Sequence, residues 1–143
     1  MDKKIRIGVL GCADIAQRLV IPAIQQLGEK FKLVGVASRT ADKARSFADR
    51  FACESIEGYN TLVLRDDIDA VYIPLPTGLH KEWIIKALEH GKHVYAEKSI
   101  AMNGIDAEDM VTCAKLNRVA LMEGYMFQYH IGGLSFLCFS GQR

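Results

Sequence analysis

Four places in this chain carry residues whose types and spacing could do chemistry. The first is the run Gly8-Val9-Leu10-Gly11-Cys12-Ala13-Asp14-Ile15-Ala16. Counted from Gly11 it reads Gly-x-Ala-x-x-Ala, a variant of the dinucleotide-binding fingerprint. Gly11 would permit a tight turn out of a strand. Ala13 sits where backbone must approach a pyrophosphate, and Ala16 where helix and strand pack closely. Gly11, Cys12, Ala13, Asp14 and Ile15 thus form a candidate phosphate cradle, with unpaired N–H groups and the positive end of a helix dipole facing an anion. The methyl of Ala13 crowds that approach, so the run by itself also fits a plain strand-to-helix turn.

The second place is Ala37-Ser38-Arg39-Thr40. Proteins that prefer NAD usually put a carboxylate here to accept from the ribose 2′-hydroxyl. In this chain no carboxylate appears until Asp42. Ser38 could donate to a 2′-phosphate, Arg39 could bind its oxygens and stack on adenine, and Lys43 could add charge. NADP(H) is therefore expected over NAD(H). The competing reading makes Arg39 a solvated helix-start residue and Thr40 an N-cap.

The third place is Pro74-Leu75-Pro76-Thr77-Gly78-Leu79-His80 and the fourth is Tyr95-Ala96-Glu97-Lys98-Ser99, each just past an apolar run. Ligands of open α/β sheets lie beyond the carboxyl ends of strands, where strand order reverses. Two prolines hold the third segment extended, so its carbonyls, Leu75 and Pro76 could line the nicotinamide-ribose side. His80 fits either a packing or capping residue or a ligand contact. Lys98 is the candidate catalytic residue: an ammonium at the mouth of a crevice can donate to a substrate oxygen and stabilise charge developing during hydride transfer. Glu97 could hold that ammonium or touch a ribose. Out of context, Glu-Lys is also an ordinary surface dipeptide.

The elements that must position these residues are legible from periodicity. Ile5–Leu10, Leu33–Ala37, Ala70–Ile73, His93–Ala96 and Val119–Met122 are apolar on successive residues, as in strands covered on both faces, and a weaker strand is expected near Cys53–Ile56. Between them, Ala44, Phe47, Ala48 and Phe51 fall on one helix face, as do Ala107, Met110, Val111 and Ala114. His80, Trp83, Ile84, Ala87 and Leu88 give a third stripe, ended by His90-Gly91 with Gly91 in the left-handed C′ position. Ile15, Leu19, Ala23 and Leu27 mark a first helix that Pro22 should kink or restart. Strand-helix-strand alternation predicts an α/β fold, a doubly wound parallel sheet of about six strands.

Composition narrows the function. The 143 residues suit one domain, and a net charge of +1 argues against nucleic-acid binding and against a polybasic membrane tether. No apolar stretch reaches the ~20 residues of a membrane helix, and the start lacks a secretory pattern, so a cytoplasmic location is expected. The four cysteines, Cys12, Cys53, Cys113 and Cys138, show no Cys-x-x-Cys spacing, so no metal site is expected and the thiols should be reduced, with Cys53 and Cys113 buried.

Taken together, the segments resemble the Gfo/Idh/MocA family of sugar oxidoreductases. The matching pieces are Gly11–Ala16, Ala37-Ser38-Arg39, Leu75–His80, Ala87–Val94, Glu97-Lys98 and Glu123-Gly124-Tyr125-Met126-Phe127 followed by His130. The stretch from Ile56-Glu57-Gly58-Tyr59 to Tyr72 looks like the nucleotide-sugar 3-ketoreductase branch, although NADP-linked pentose and dihydrodiol dehydrogenases share much of it. The resemblance implies a Rossmann domain over residues 1–130, a substrate-contacting role for Lys98, and cofactor contacts at Tyr59, Leu75, His80 and Glu97.

Three departures carry expectations of their own. Ser99 stands where the family usually has proline, which should leave the Lys98 turn less rigid, and Ile131 replaces the proline that usually follows His130. The family continues into a second α/β domain that supplies the substrate pocket, much of the oligomer interface and the acid/base residue. The apolar tail at residues 131–143 does not look like the entry to that domain, as in a truncated or frameshifted product. The expected function is NADP-dependent hydride transfer to or from a sugar or nucleotide-sugar, with negligible turnover by this stretch alone. The alternative is a non-catalytic NADP(H)-binding module that senses the cofactor or pairs with a separate substrate domain or a second copy; a doubly wound domain without a nucleotide site is the third reading.

Overall fold

A computed structural model describes residues 3–125; Met126, Phe127, His130 and the 131–143 tail lie outside the described residues. Six strands form one sheet: β1 (Ile5–Leu10), β2 (Phe31–Ser38), β3 (Glu54–Glu57), β4 (Ala70–Ile73), β5 (His93–Ala96) and β6 (Leu121–Glu123). Their order is β3-β2-β1-β4-β5-β6 and every neighbouring pair is parallel. This is the doubly wound parallel sheet of the Rossmann fold. Strand β6 begins two residues later than its apolar run, and β2 is longer at its start.

Helices α1 (Ile21–Gln26) and α2 (Ala41–Phe51) pack with Val9, Val36 and Tyr72 into one core. A second core joins Leu10, Ile73 and Val94 to α4 (His80–Glu89) and α5 (Gly104–Asn117), with the short α3 (Tyr59–Val63) supplying Leu62 and Val63. Periodicity did not mark α3, which is only five residues long. Ile84, Ala87 and Leu88 are fully buried, as the stripe on α4 requires, and burying a residue such as Leu88 contributes about 1.5–3 kcal/mol. α4 ends at Glu89 with His90 as its C-cap, and Gly91 follows at φ +71°, the left-handed C′ position expected. On α5, Met110 and Ala114 face the core whereas Val111 is exposed, so that stripe is narrower than its spacing suggested. The Asn103 side chain caps α5 by accepting from the Asp106 N–H (2.9 Å).

Pro22 restarts its helix in a specific way. Ala16–Val20 is π-helical, with the Ile21 N–H donating five residues back to the Ala16 carbonyl, and regular α-helix begins at Ile21 with proline in its first turn. The missing N–H of proline falls where no helical partner is required. Cys12, Cys53 and Cys113 are free thiols, half-buried and not fully buried; burial pushes the Cys53 thiol up to about 11. Among the described residues no helix is long and apolar enough to cross a membrane.

Strands β1 and β4 are fastened at their beginnings. The Arg6 guanidinium donates to both Asp69 oxygens (2.9 and 2.6 Å), the Arg6 N–H donates to the same carboxylate (2.9 Å), and the Asp69 N–H donates to the Arg6 carbonyl (2.8 Å). This sets the register in which Ile7 pairs with Ala70. Arg6 holds the Asp69 carboxyl well below the usual carboxylate range. The stability this pair contributes is present in full above the ordinary carboxylate pKa and is lost as pH falls toward the depressed folded value. Asp69→Asn should therefore lose less of its urea midpoint than the unmodified protein between about pH 6 and about pH 3. Equal losses in both proteins would remove Asp69 from this role.

Candidate functional site

At the opposite, carboxyl ends of the strands lies a cleft of about 570 Å³. β1 delivers Gly11, Cys12, Ala13 and Ile15 to it, β2 and the start of α2 deliver Arg39 and Lys43, and α3 delivers Tyr59. The segment after β4 adds Pro74, Leu75 and Pro76, and the end of β5 adds Glu97 and Lys98. The four chemistry-bearing segments therefore meet in one place. A larger groove of about 720 Å³ lies over the α1 face of the sheet, walled by apolar side chains such as Ile7, Ile24 and Tyr72, and holds none of the candidate residues.

Gly11 makes the turn possible. Its φ is +118°, and a Cβ at that position would stand 2.8 Å from Leu75 Cδ2. Leu75 is thus the apolar wall on which the turn rests, and its own position is set from behind. Its carbonyl faces His80 Nε2 at 2.7 Å, while Nδ1 lies 3.2 Å from the Ile100 carbonyl.

Tyr59 stands across the turn, edge-on to Trp83 with ring centroids 5.2 Å apart. Burial raises its phenol above the ordinary value, and Arg39 beside it offsets part of that rise. Burial likewise raises the Cys12 thiol, against the pull of Lys43 and a hydrogen bond with Ser38. The Cys12 thiol also points at the Lys43 carbonyl, 3.8 Å away.

Three expected contact residues are placed elsewhere. Ser38 is buried at the last position of β2, its carbonyl accepting from the Gly58 N–H (2.7 Å) and its side chain beside Cys12. It supports the cleft floor and does not line it. His80 is fully buried and reaches the cleft only through Leu75. Asp14 is exposed and turns away, its carboxylate accepting from Gln17 (2.9 Å) and Arg18 (3.2 Å), which lowers its pKa. Thr40 occupies the N-cap position of α2 without a side-chain capping bond.

The pair Glu97-Lys98 also differs from expectation. No ion pair joins the two among the described residues. Glu97 instead accepts a 2.7 Å hydrogen bond from the hydroxyl of Tyr72, which is buried and stacked on Tyr95. A buried phenol needs an acceptor, and Glu97 is the acceptor within reach. Burial and Glu97 together hold the Tyr72 phenol far above its ordinary value, so it stays protonated as the donor. Lys98 is left exposed at the cleft, with no ion pair among the described residues.

A doubly wound sheet with a glycine turn and a basic corner at the reversal of strand order defines a dinucleotide-binding domain. Residues 5–125 match the family model GFO_IDH_MocA, described as an oxidoreductase family with an NAD-binding Rossmann fold, and the chain belongs to that family. It is 49% identical over 130 residues to a dTDP-3,4-didehydro-2,6-dideoxy-alpha-D-glucose 3-reductase of Saccharopolyspora spinosa, covering 91% of this chain and 39% of that protein. It is 36% identical to a D-xylose 1-dehydrogenase (NADP(+)) of Haloferax volcanii, covering 86% of this chain and 38% of that one. Among solved structures it resembles KijD10, a 3-ketoreductase from Actinomadura kijaniata in complex with NADP and TDP-benzene. The TM-score is 0.90 at 42% identity, covering 98% of this chain and 43% of that one. The chain thus spans about two-fifths of the length of the relatives it matches.

The Gly11 turn tolerates no side chain on this geometry. Gly11→Ala is expected to lower the unfolding free energy by about 1–3 kcal/mol, because it forces a left-handed backbone and displaces Leu75. Urea denaturation measures this; unchanged stability would show that the turn accepts a Cβ.

Proposed function

We propose that this domain holds NADP(H) in the cleft and presents it, with Lys98, to the carbonyl or hydroxyl carbon of a nucleotide-linked sugar. The observation that carries the proposal is the distribution of charge in one crevice. Arg39 and Lys43 line one corner with no carboxylate among them, and the exposed Lys98 stands at the other end beyond Glu97. The cradle fits the group: Gly11 makes a turn tight enough for Leu75 to pack where a Cβ would stand, and Ala13 and Ile15 line the wall where a helix begins. The names of the relatives, NADP-linked and acting on sugars or dTDP-sugars, support the same reading.

Each residue then has a physical task. The Arg39 guanidinium binds the oxygens of a 2′-phosphate and offers its flat face to adenine, and Lys43 adds positive charge without a bidentate bond. Leu75 and the Pro74 and Pro76 rings exclude water from the nicotinamide-ribose side. Bound there, the cofactor would give a hydride to a carbonyl carbon in its reduced form or take one from a hydroxyl carbon in its oxidised form. Lys98 donates a hydrogen bond from Nζ to the sugar oxygen and stabilises the charge that develops on it. The free thiols of Cys12, Cys53 and Cys113, those among the described residues, fit action in a reducing cytoplasm.

A second reading is a non-catalytic module that senses the cofactor or pairs with a separate substrate domain; the cleft lining supplies the nucleotide contacts that this reading needs. Sugar-dependent oxidation of NADPH by residues 1–143 alone would exclude it. Common to both readings is the basic corner. Arg39→Ala is expected to weaken NADPH binding by about ten- to a hundredfold, the loss of a charge-assisted hydrogen bond, and to weaken NADH binding much less, since NADH loses only the stacking on adenine. Fluorescence titration with each nucleotide measures the ratio, and an unaltered ratio would remove the 2′-phosphate from the cleft.

A further inference from the structure

Lys98 is an exposed side chain on a short connection, and the sequence withholds the obvious means of fixing it: Ser99, with a free φ, follows it. The structure nevertheless anchors both neighbours of Lys98. On one side, the Glu97 N–H donates to the Ile73 carbonyl (3.1 Å), and the Glu97 carboxylate accepts from Tyr72. On the other, the Ile100 N–H donates to Glu123 Oε1 at 2.7 Å, and the Ile100 carbonyl faces His80 Nδ1 at 3.2 Å. The N–H of Ile100, two positions beyond Lys98, is thus taken by a side chain from another element, and its carbonyl faces a ring nitrogen of His80.

Glu123 is well placed for this task. It ends β6, where it pairs with Ala96 of β5, and the Gly124 N–H closes on the Ala96 carbonyl at 2.7 Å. Its carboxylate therefore rises from the strand beside the one that carries Lys98. A backbone N–H given to a carboxylate makes a charge-assisted bond, stronger than a neutral one. Glu123 lines no part of the cleft.

We propose that Glu123 is a positioning residue for Lys98: by holding the Ile100 amide, with His80 on the Ile100 carbonyl, it fixes the turn from which the ammonium reaches the cleft. The inference rests on the reading of Lys98 as the residue facing the nicotinamide and substrate, and it assigns to a β6 side chain the constraint that residue 99 does not supply.

The test uses residues 1–143 labelled with 13Cε-lysine and 15N, the Lys98 signal being assigned through Lys98→Arg. Three readouts are taken: Ile100 amide exchange, the shift of the Lys98 signal on saturation with NADP+, and NADPH affinity by fluorescence. Glu123→Ala is expected to speed Ile100 exchange by about tenfold or more and to cut the NADP+-induced Lys98 shift by about half or more. NADPH affinity should change by less than about threefold, since Glu123 lines no part of the cleft. Glu123→Gln, which keeps an acceptor oxygen, should restore both signals. Glu123→Asp keeps the charge but falls a methylene short, should behave like Glu123→Ala, and carries the test if the alanine variant fails to fold.

An unchanged Lys98 response in the alanine and aspartate variants overturns the proposal, and so does a glutamine variant as perturbed as alanine. If the unmodified protein shows Ile100 protection that depends on Glu123 but no Lys98 response to NADP+, the cofactor reading fails and the positioning role for the reaction is overturned with it. The two failures are thereby distinguished.

Discussion

Everything in this domain follows from one topological constraint: strands β1 and β4 lie side by side although the chain visits β2 and β3 between them. From β1 the sheet grows one way, and from β4 it grows the other. Their following connections leave toward opposite faces, and a crevice opens between them at the carboxyl ends. The Arg6–Asp69 clamp fastens the same two strands at their starts, so the register at the base fixes the spacing at the mouth. The Gly11 turn and the Pro74-Leu75-Pro76 segment face each other there because β1 and β4 are hydrogen-bonded neighbours. Contact between Leu75 and the space beside Gly11 is the direct consequence.

Around that crevice the polar groups are arranged by what burial demands. Tyr72 lies beneath the mouth with a hydroxyl that must find an acceptor, and Glu97 serves it. Glu97 is consequently not the partner of Lys98, which stands exposed at the mouth with no ion pair among the described residues. His80 is enclosed and gives its ring to two backbone segments, Leu75 on one side of the cleft and Ile100 behind the Lys98 turn. Ser38 is drawn beneath the turn toward Cys12. The cleft surface carries mainly cations and apolar walls, and the neutral polar residues hold those walls from behind.

The strands and their parallel direction were legible in the sequence because runs covered on both faces leave uninterrupted apolar residues: β1, β4 and β5 occupy the ranges read from those runs. Convergence of the four motif segments was legible for a related reason, since each follows a strand and strand ends of a parallel sheet share one edge. Direction of individual side chains was not. Ser38 and His80 have the chemistry of ligand contacts, and only the packing of their neighbours shows that they face inward. The five-residue α3 has no periodicity to read, and Val111 matched a helical spacing whose outer edge is solvated. Glu123 sat in a recognised motif without a task, because its partner, the Ile100 amide, is 23 residues away and carries no sequence signature.

The central claim is that the crevice at the β1–β4 reversal receives a 2′-phosphorylated dinucleotide. A crystal structure of this chain grown with NADP+ tests it most directly. The account predicts the pyrophosphate over Gly11–Ala13, the 2′-phosphate within hydrogen-bonding distance of Arg39, and the nicotinamide end between Leu75 and Lys98. A nucleotide seated in the apolar groove on the α1 face, or an adenosine whose ribose corner is remote from Arg39, would contradict it.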